Sequence, residues 1–167
     1  FRRVLFRSSY KMFGKVGDQF ARDGTNYKIS DILSAIGIAQ LAKIEKIIRR
    51  RKIKVQIYSE LLSKVDFIKM QKEIPNSRHT YQSFVCYFTK PGLRDKIRKK
   101  FAMENVETQI GTYALHCLPS FQKVAKIGNL QNSEFLYKNT ISLPLHEELS
   151  QNDQELICKI IRDSIKS

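Results

Sequence analysis

The chain has 167 residues, 42% of them hydrophobic, and its 30 lysines and arginines against 16 aspartates and glutamates give a formal charge of +14. That is enough apolar material for one sizeable core, and no apolar run reaches the roughly 18–20 residues of a membrane span. Cys86, Cys117 and Cys158 are odd in number and lack CxxC spacing, which argues against a disulfide framework and for reduced thiols in a cytoplasmic protein.

The opening octet FRRVLFRS fits neither a helical nor a strand period. It is not a secretory signal, which needs an apolar stretch of about 7–15 residues. Back-translated, it reads like the end of a short-read sequencing adaptor. Residues 1–8 are therefore expected to be a library scar joined to a truncated gene, with native sequence from near Ser9.

From Asp31 to about Ser63 the residues Ile32, Ile36, Ile44, Ile47, Ile48, Val55, Tyr58, Leu61 and Leu62 recur mostly at spacings of three and four. This predicts one long helix, N-capped by Ser30, with Asp31 in its first turn. At 1.5 Å per residue it would be on the order of 50 Å long, a spine between two bodies. YQSFVCYF (81–88) predicts a buried strand, which Pro91 and Gly92 end. Leu93, Ile97 and Phe101 predict a short helix, and ETQIGTY (107–113) a second strand. TISLPLH (140–146) predicts a third strand with Pro144 at its edge. Ser150 and Asp153 form an S-x-x-D capping signal before Leu156, Ile157, Ile160, Ile161 and Ile165. The expected class is α+β, with helices packed against a small sheet.

No GxSxG, P-loop or HExxH motif is present, and the three histidines, His79, His116 and His146, are isolated from one another. No metal ligand set is expected. The basic runs KIEKIIRRRKIK (43–54) and RDKIRKK (94–100) read first as solvated helix faces. The alternative is a module that binds RNA or another polyanion through Lys43 to Lys54. That stretch contains no aromatic residue for stacking on bases, so nucleic acid is the weaker reading.

Three strings, DGTNYKISDILSAIGIAQLAKIEKIIRRR, ETQIGTYALHCLPSF and ISLPLHEELSQND, occur in this order. Together they resemble the C-terminal part of the DegT/DnrJ/EryC1/StrS family of pyridoxal-phosphate-dependent sugar aminotransferases. The resemblance implies the small C-terminal α+β domain of the aspartate-aminotransferase type (PLP fold type I) over residues 64–167. It also implies a long connecting helix over 31–63, and a remnant of the large cofactor-binding domain over 9–30. It implies a homodimer that takes an amino acid such as glutamate as donor and a nucleotide-linked keto-deoxysugar as acceptor.

The resemblance carries roles onto single residues. Asn26, in TNYKISD, matches the family asparagine that reaches the cofactor phosphate of the partner subunit, although by itself it reads as a turn asparagine in DGTN. Lys28 matches a position facing the substrate pyrophosphate, where many relatives carry arginine. Tyr113 and His116, in IGTYALH, match the substrate-facing loop, and Arg78 and His79 are expected to line the site as well. The family's Schiff-base lysine lies upstream of the matched strings, so no catalytic residue is assigned within the chain, and the chain alone is expected to be inactive.

If the octet is a scar, it contributes nothing to folding. Deleting residues 1–8 is expected to change the unfolding free energy by no more than about 0.5 kcal/mol, as measured by denaturant titration of both chains.

Overall fold

The computed structural model describes residues 11–121, 123 and 128–165, so the octet lies outside the described residues. The chain divides into two compact units, one ending at Glu45 and the other beginning at Lys46.

In the first unit, β1 (Lys15–Val16) and β2 (Gln19–Phe20) form a short antiparallel hairpin. Gly14 precedes it with φ at +77°, and a Cβ there would fall 1.7 Å from the carbonyl oxygen of Arg22, so only glycine fits. Helix α1 (Asp31–Leu41) begins as the sequence predicts: the Ser30 hydroxyl accepts from the Leu33 N–H, and Asp31 occupies the first turn. The helix buries none of its residues. Ile32, Leu33, Ile36, Ile38 and Leu41 are all more than half exposed.

The expected unbroken helix over 31–63 is two helices, because α2 (Ile44–Leu61) starts after a turn at Ala42 and Lys43. The cause is local. The Ala42 N–H is shared between the Ile38 and Gln40 carbonyls, and the Lys43 N–H bonds to Gln40 at 3.0 Å, a tightened last turn that stops the i to i−4 ladder.

The second unit is built on an antiparallel four-stranded sheet. Its strands are β3 (Ile68–Met70), β4 (Phe84–Phe88), β5 (Gln109–Ile110) and β6 (Thr140–Leu143), in the order β3-β4-β6-β5. Phe84 pairs with Leu143 and Ile68 with Phe88, which fixes β4 in the interior of the sheet. The helices of this unit are α2 from Lys46 onward, α3 (Leu93–Met103), α4 (Gln131–Asn139) and α5 (Gln151–Asp163).

Alternation along β4 sends Phe84, Cys86 and Phe88 into the core, each almost fully buried. There Tyr58 of α2 stacks on Phe84 with ring centroids 5.3 Å apart, and its hydroxyl donates to the Pro144 carbonyl at 3.1 Å. Burial pushes the Tyr58 hydroxyl far above its ordinary range, with Cys158, Cys86 and Asp153 adding to the shift. Ile97 and Phe101 of α3 and Ile157, Cys158 and Ile161 of α5 complete the same cluster. On the opposite face, Tyr87 meets Phe135 of α4 edge-on at 5.9 Å.

Three basic side chains of this unit close helix ends. The Arg94 guanidinium donates to the Tyr137 carbonyl at 2.9 Å, Lys100 to the Asp163 carbonyl at 3.3 Å, and Arg162 to the Leu61 carbonyl at 3.1 Å. Each cation sits at the C-terminal end of another helix, where unpaired carbonyls and the helix dipole favour positive charge. Helix α5 has the capping box that the sequence predicts: the Ser150 hydroxyl accepts from the Asp153 N–H, and the Asp153 carboxylate accepts from Ser150.

The core packing yields a paired expectation. Phe84→Ala should lower the unfolding free energy by about 3–5 kcal/mol, whereas Tyr58→Phe should cost only about 1 kcal/mol, the net worth of its one hydrogen bond. Equal losses in denaturant unfolding would contradict the packing described. A second expectation follows from Asp153, whose carboxyl is held below its ordinary 3.8, first by the Ser150 hydroxyl and then by the Ser150 N–H. A depressed carboxyl contributes stability above its unfolded value and loses it as the pH falls through the folded one. The stability advantage of the native chain over Asp153→Asn should therefore be constant near about pH 6 and shrink as the pH falls below about 4.

Candidate cofactor and substrate residues

Asn26 lies in the first unit, exposed, four residues before the N-cap of α1. Its backbone bridges to Met12, and its side-chain oxygen accepts from the Lys28 N–H at 3.2 Å. This is the turn role that DGTN suggests by itself. It also orients the side chain, because with the oxygen engaged the amide N–H2 is the end that can donate outward. Lys28 is exposed beside it. An amide donor and an ammonium next to a helix N-terminus suit a phosphate chemically, while Asp31 in the first turn places one carboxylate against that charge.

In the second unit, IGTYALH is held by Gly111. A Cβ on Gly111 would come within 2.5 Å of Val85 Cγ1 and 2.8 Å of Thr140 Cβ, so this loop can lie against the sheet only with glycine. Beyond it, Tyr113 is half-exposed and its ring lies 5.8 Å from that of Tyr137. Ala114 is fully buried and anchors a 3-10 turn over Leu115–Cys117, with the Cys117 N–H bonded to the Ala114 carbonyl at 2.8 Å. His116 reaches the Glu134 carboxylate at 3.0 Å. Tyr113 and His116 are thus both docked on α4, through Tyr137 and Glu134. Neither of these partners is visible in the motif itself. The i, i+3 spacing that places Glu134 and Tyr137 on one helix face is the signal that finds them.

Arg78 and His79 belong to the connection between β3 and β4. The His79 ring contacts the Gln71 amide at 2.7 Å and accepts from the Tyr81 N–H at 2.9 Å, and its own backbone N–H donates to Glu73. That N–H, followed by the Lys52 ammonium at 3.1 Å, holds the Glu73 carboxyl below its ordinary range. The histidine here organises a loop of its own. The cluster of His79 with Gln71, Glu73 and Tyr81 shares no residue with the cluster of His116 on α4.

The basic run on α2 does not support the alternative of a polyanion-binding face. Arg50 pairs with Glu147 at 2.9 Å, Lys52 with Glu73, and the Lys54 ammonium donates to the Leu149 carbonyl. Three of the cations that would meet a phosphate backbone are committed within the chain. Among the described residues, no helix is long and apolar enough to cross a membrane.

Known proteins resemble the chain along nearly its whole length. It is 27% identical over 140 residues to GDP-perosamine synthase of Escherichia coli O157:H7, covering 84% of this chain and 37% of that protein. It is 24% identical over 152 residues to the UDP-4-amino-4,6-dideoxy-N-acetyl-beta-L-altrosamine transaminase of Campylobacter jejuni, covering 86% and 38%. A solved DegT DnrJ EryC1 StrS aminotransferase from Brucella abortus superposes with a TM-score of 0.74 at 26% identity, covering 93% of this chain and 41% of that one. The chain spans about two-fifths of the length of the curated relatives it matches. The family profile covers residues 6–162, starting within the opening octet, and by that match the chain belongs to the DegT/DnrJ/EryC1/StrS aminotransferase family.

Proposed function

We propose that the chain is part of a pyridoxal-phosphate-dependent aminotransferase that moves an amino group from an amino acid such as glutamate to the keto group of a nucleotide-linked deoxysugar. The observation that carries this reading is the family match over residues 6–162, joined to relatives whose names specify GDP- and UDP-linked sugars. When bound, the cofactor supplies the electron sink, and the protein supplies binding, orientation and charge. The lysine that anchors the cofactor is assigned to the part of the family's fold that lies upstream of the matched strings.

Within this chain, Asn26 is the cofactor-phosphate donor, offering its amide N–H2 to the partner subunit's cofactor in a homodimer. Lys28 meets the substrate pyrophosphate as a point charge rather than as the bidentate fork of an arginine. Tyr113 offers an exposed ring and hydroxyl to the sugar or nucleotide, and His116, fixed by Glu134, orients the loop that presents it. Arg78 and His79 stand on the substrate side with a secondary role. The unburied apolar side chains of α1 fit a chain that packs against more protein than it contains. Three cysteines without a bridge suit the cytoplasm, where such an enzyme finds its nucleotide sugars.

The test uses the complete parent enzyme. A lost hydrogen bond to a charged group costs about 1.5–3 kcal/mol, so Asn26→Ala should weaken cofactor retention by roughly 10- to 150-fold with the fold intact. Mixing that variant with one lacking the cofactor lysine gives heterodimers in which one site carries both defects and the other neither. Part of the transaminase activity should return. Verified heterodimers that stay as inactive as their parents would remove Asn26 from the cross-subunit role. Failure of the parent enzyme to aminate any nucleotide-linked keto-deoxysugar would remove the substrate class.

A further inference from the structure

The turn that presents His116 also presents Cys117, and both face Glu134 of α4. One ligand atom from each, an imidazole nitrogen, the thiol sulfur and a carboxylate oxygen, lies within 4.8 Å of the other two. We propose that His116, Cys117 and Glu134 form a binding site for a zinc-class divalent cation. The sequence alone predicts no metal ligand set. Adjacent His and Cys are no recognised ligand spacing, and the third ligand comes from a separate helix, so only the fold assembles the group.

Three features favour a cation here. The first is distance: zinc bonds of about 2.0–2.3 Å in tetrahedral geometry place ligand atoms about 3.3–3.8 Å apart. The His116 and Glu134 atoms are already at 3.0 Å, and the 4.8 Å bound on the set is within about 1 Å of what the metal needs, a change that side-chain rotation supplies. The second is rigidity. The turn carrying His116 and Cys117 is anchored by buried Ala114 and by the Cys117 and Leu118 N–H bonds, and α4 is pinned to the sheet by Phe135 on Tyr87. Lys138 forms an exposed ion pair at 3.7 Å with Glu134 Oε2, the carboxylate oxygen other than the one that His116 meets.

The third is chemistry. Thiolate, imidazole and carboxylate together select zinc or cobalt over magnesium or calcium, and three protein ligands leave a fourth position for water. Binding displaces the thiol proton, which leaves to solvent as the sulfur–metal bond forms. The other two cysteines do not compete. Both are buried in the core, where the loss of solvent pushes the Cys158 thiol up to about 12 and the Cys86 thiol higher still.

The site stands on these three residues whether or not the transaminase reading holds, so its test is separate. The full, reduced chain is titrated with Co2+ alone. One equivalent should bring up a thiolate-to-cobalt charge-transfer band and tetrahedral ligand-field bands. Zn2+ should abolish both by displacement, and Mg2+ should not. Cys117→Ser should remove the charge-transfer band. Glu134→Gln keeps a hydrogen-bonding partner for His116 and so spares the fold. This variant and His116→Gln should each weaken binding at least about tenfold, since even outer-shell losses cost about 10–100-fold. As a check that needs no variant, Zn2+ should protect Cys117 from alkylation, read by peptide mass mapping. A wild-type chain without the thiolate band, a band that persists in Cys117→Ser, unprotected Cys117, or Glu134→Gln and His116→Gln affinities within twofold of wild type would each overturn the site.

Discussion

Strand β4 has to satisfy both of its faces at once, and the rest of the second unit is arranged around that requirement. Phe84, Cys86 and Phe88 point one way and are almost completely removed from water, while Val85 and Tyr87 point the other. The first face takes Tyr58 in a ring stack, which ties α2 to the sheet and, through the tyrosine hydroxyl, to the backbone just after β6. The second face takes Phe135, and so places α4. Once α4 is placed, Glu134 and Tyr137 are fixed, and with them His116 and Tyr113. Val85 also limits what can pass beside it, which is why position 111 must be glycine. A five-residue strand thus sets both the core and the loop to which the substrate-facing role is assigned.

The elements legible in the sequence are those whose signal is local and redundant. Helix α5 combines an apolar period with reciprocal Ser150–Asp153 capping, and the fold has both. The middle strand announces itself as a run of aromatic and β-forming residues closed by Pro91 and Gly92. The breaks and short pieces carry weaker local signals. Nothing in LAKIEK signals that Ala42 and Lys43 tighten into a turn, since the stretch contains no glycine, proline or other helix breaker. Strand β3 is three residues long, and β5 keeps only Gln109 and Ile110 of the predicted 107–113, because the chain leaves the sheet at Gly111 to start the loop. The hairpin of β1 and β2 depends on Gly14 at positive φ, which a sequence cannot distinguish from an ordinary loop glycine.

The candidate residues divide in the same way. Asn26, Tyr113 and His116 stand out through family resemblance, and the structure adds what each is attached to. For Asn26 that attachment is the very turn bond that its neighbours predict. For His116 it is a carboxylate on a helix some distance along the chain, and for His79 a loop network centred on Gln71 and Glu73. The two histidines are indistinguishable as lone letters. Their neighbours separate them, one beside a thiol and a carboxylate, the other beside an amide and backbone donors.

Charge shows most clearly how a bulk property of the sequence can mislead. A formal +14 invites a polyanion, yet three of the cations in the second unit close the ends of helices. Arg94 closes the end of α4, Lys100 the end of α5 and Arg162 the end of α2, each donating to a carbonyl that its own helix leaves unpaired. Arg50 and Lys52 take carboxylates, and Lys54 takes the Leu149 carbonyl. A carbonyl presents partial charge and no net charge, so a cation spent on one still counts in full toward the total while being held in place by the fold. Net charge therefore measures how many basic residues there are, and the positions of their acceptors decide what those residues do. Here three of those acceptors lie at the ends of neighbouring helices, so part of the positive charge has a role inside the fold that requires no anionic partner.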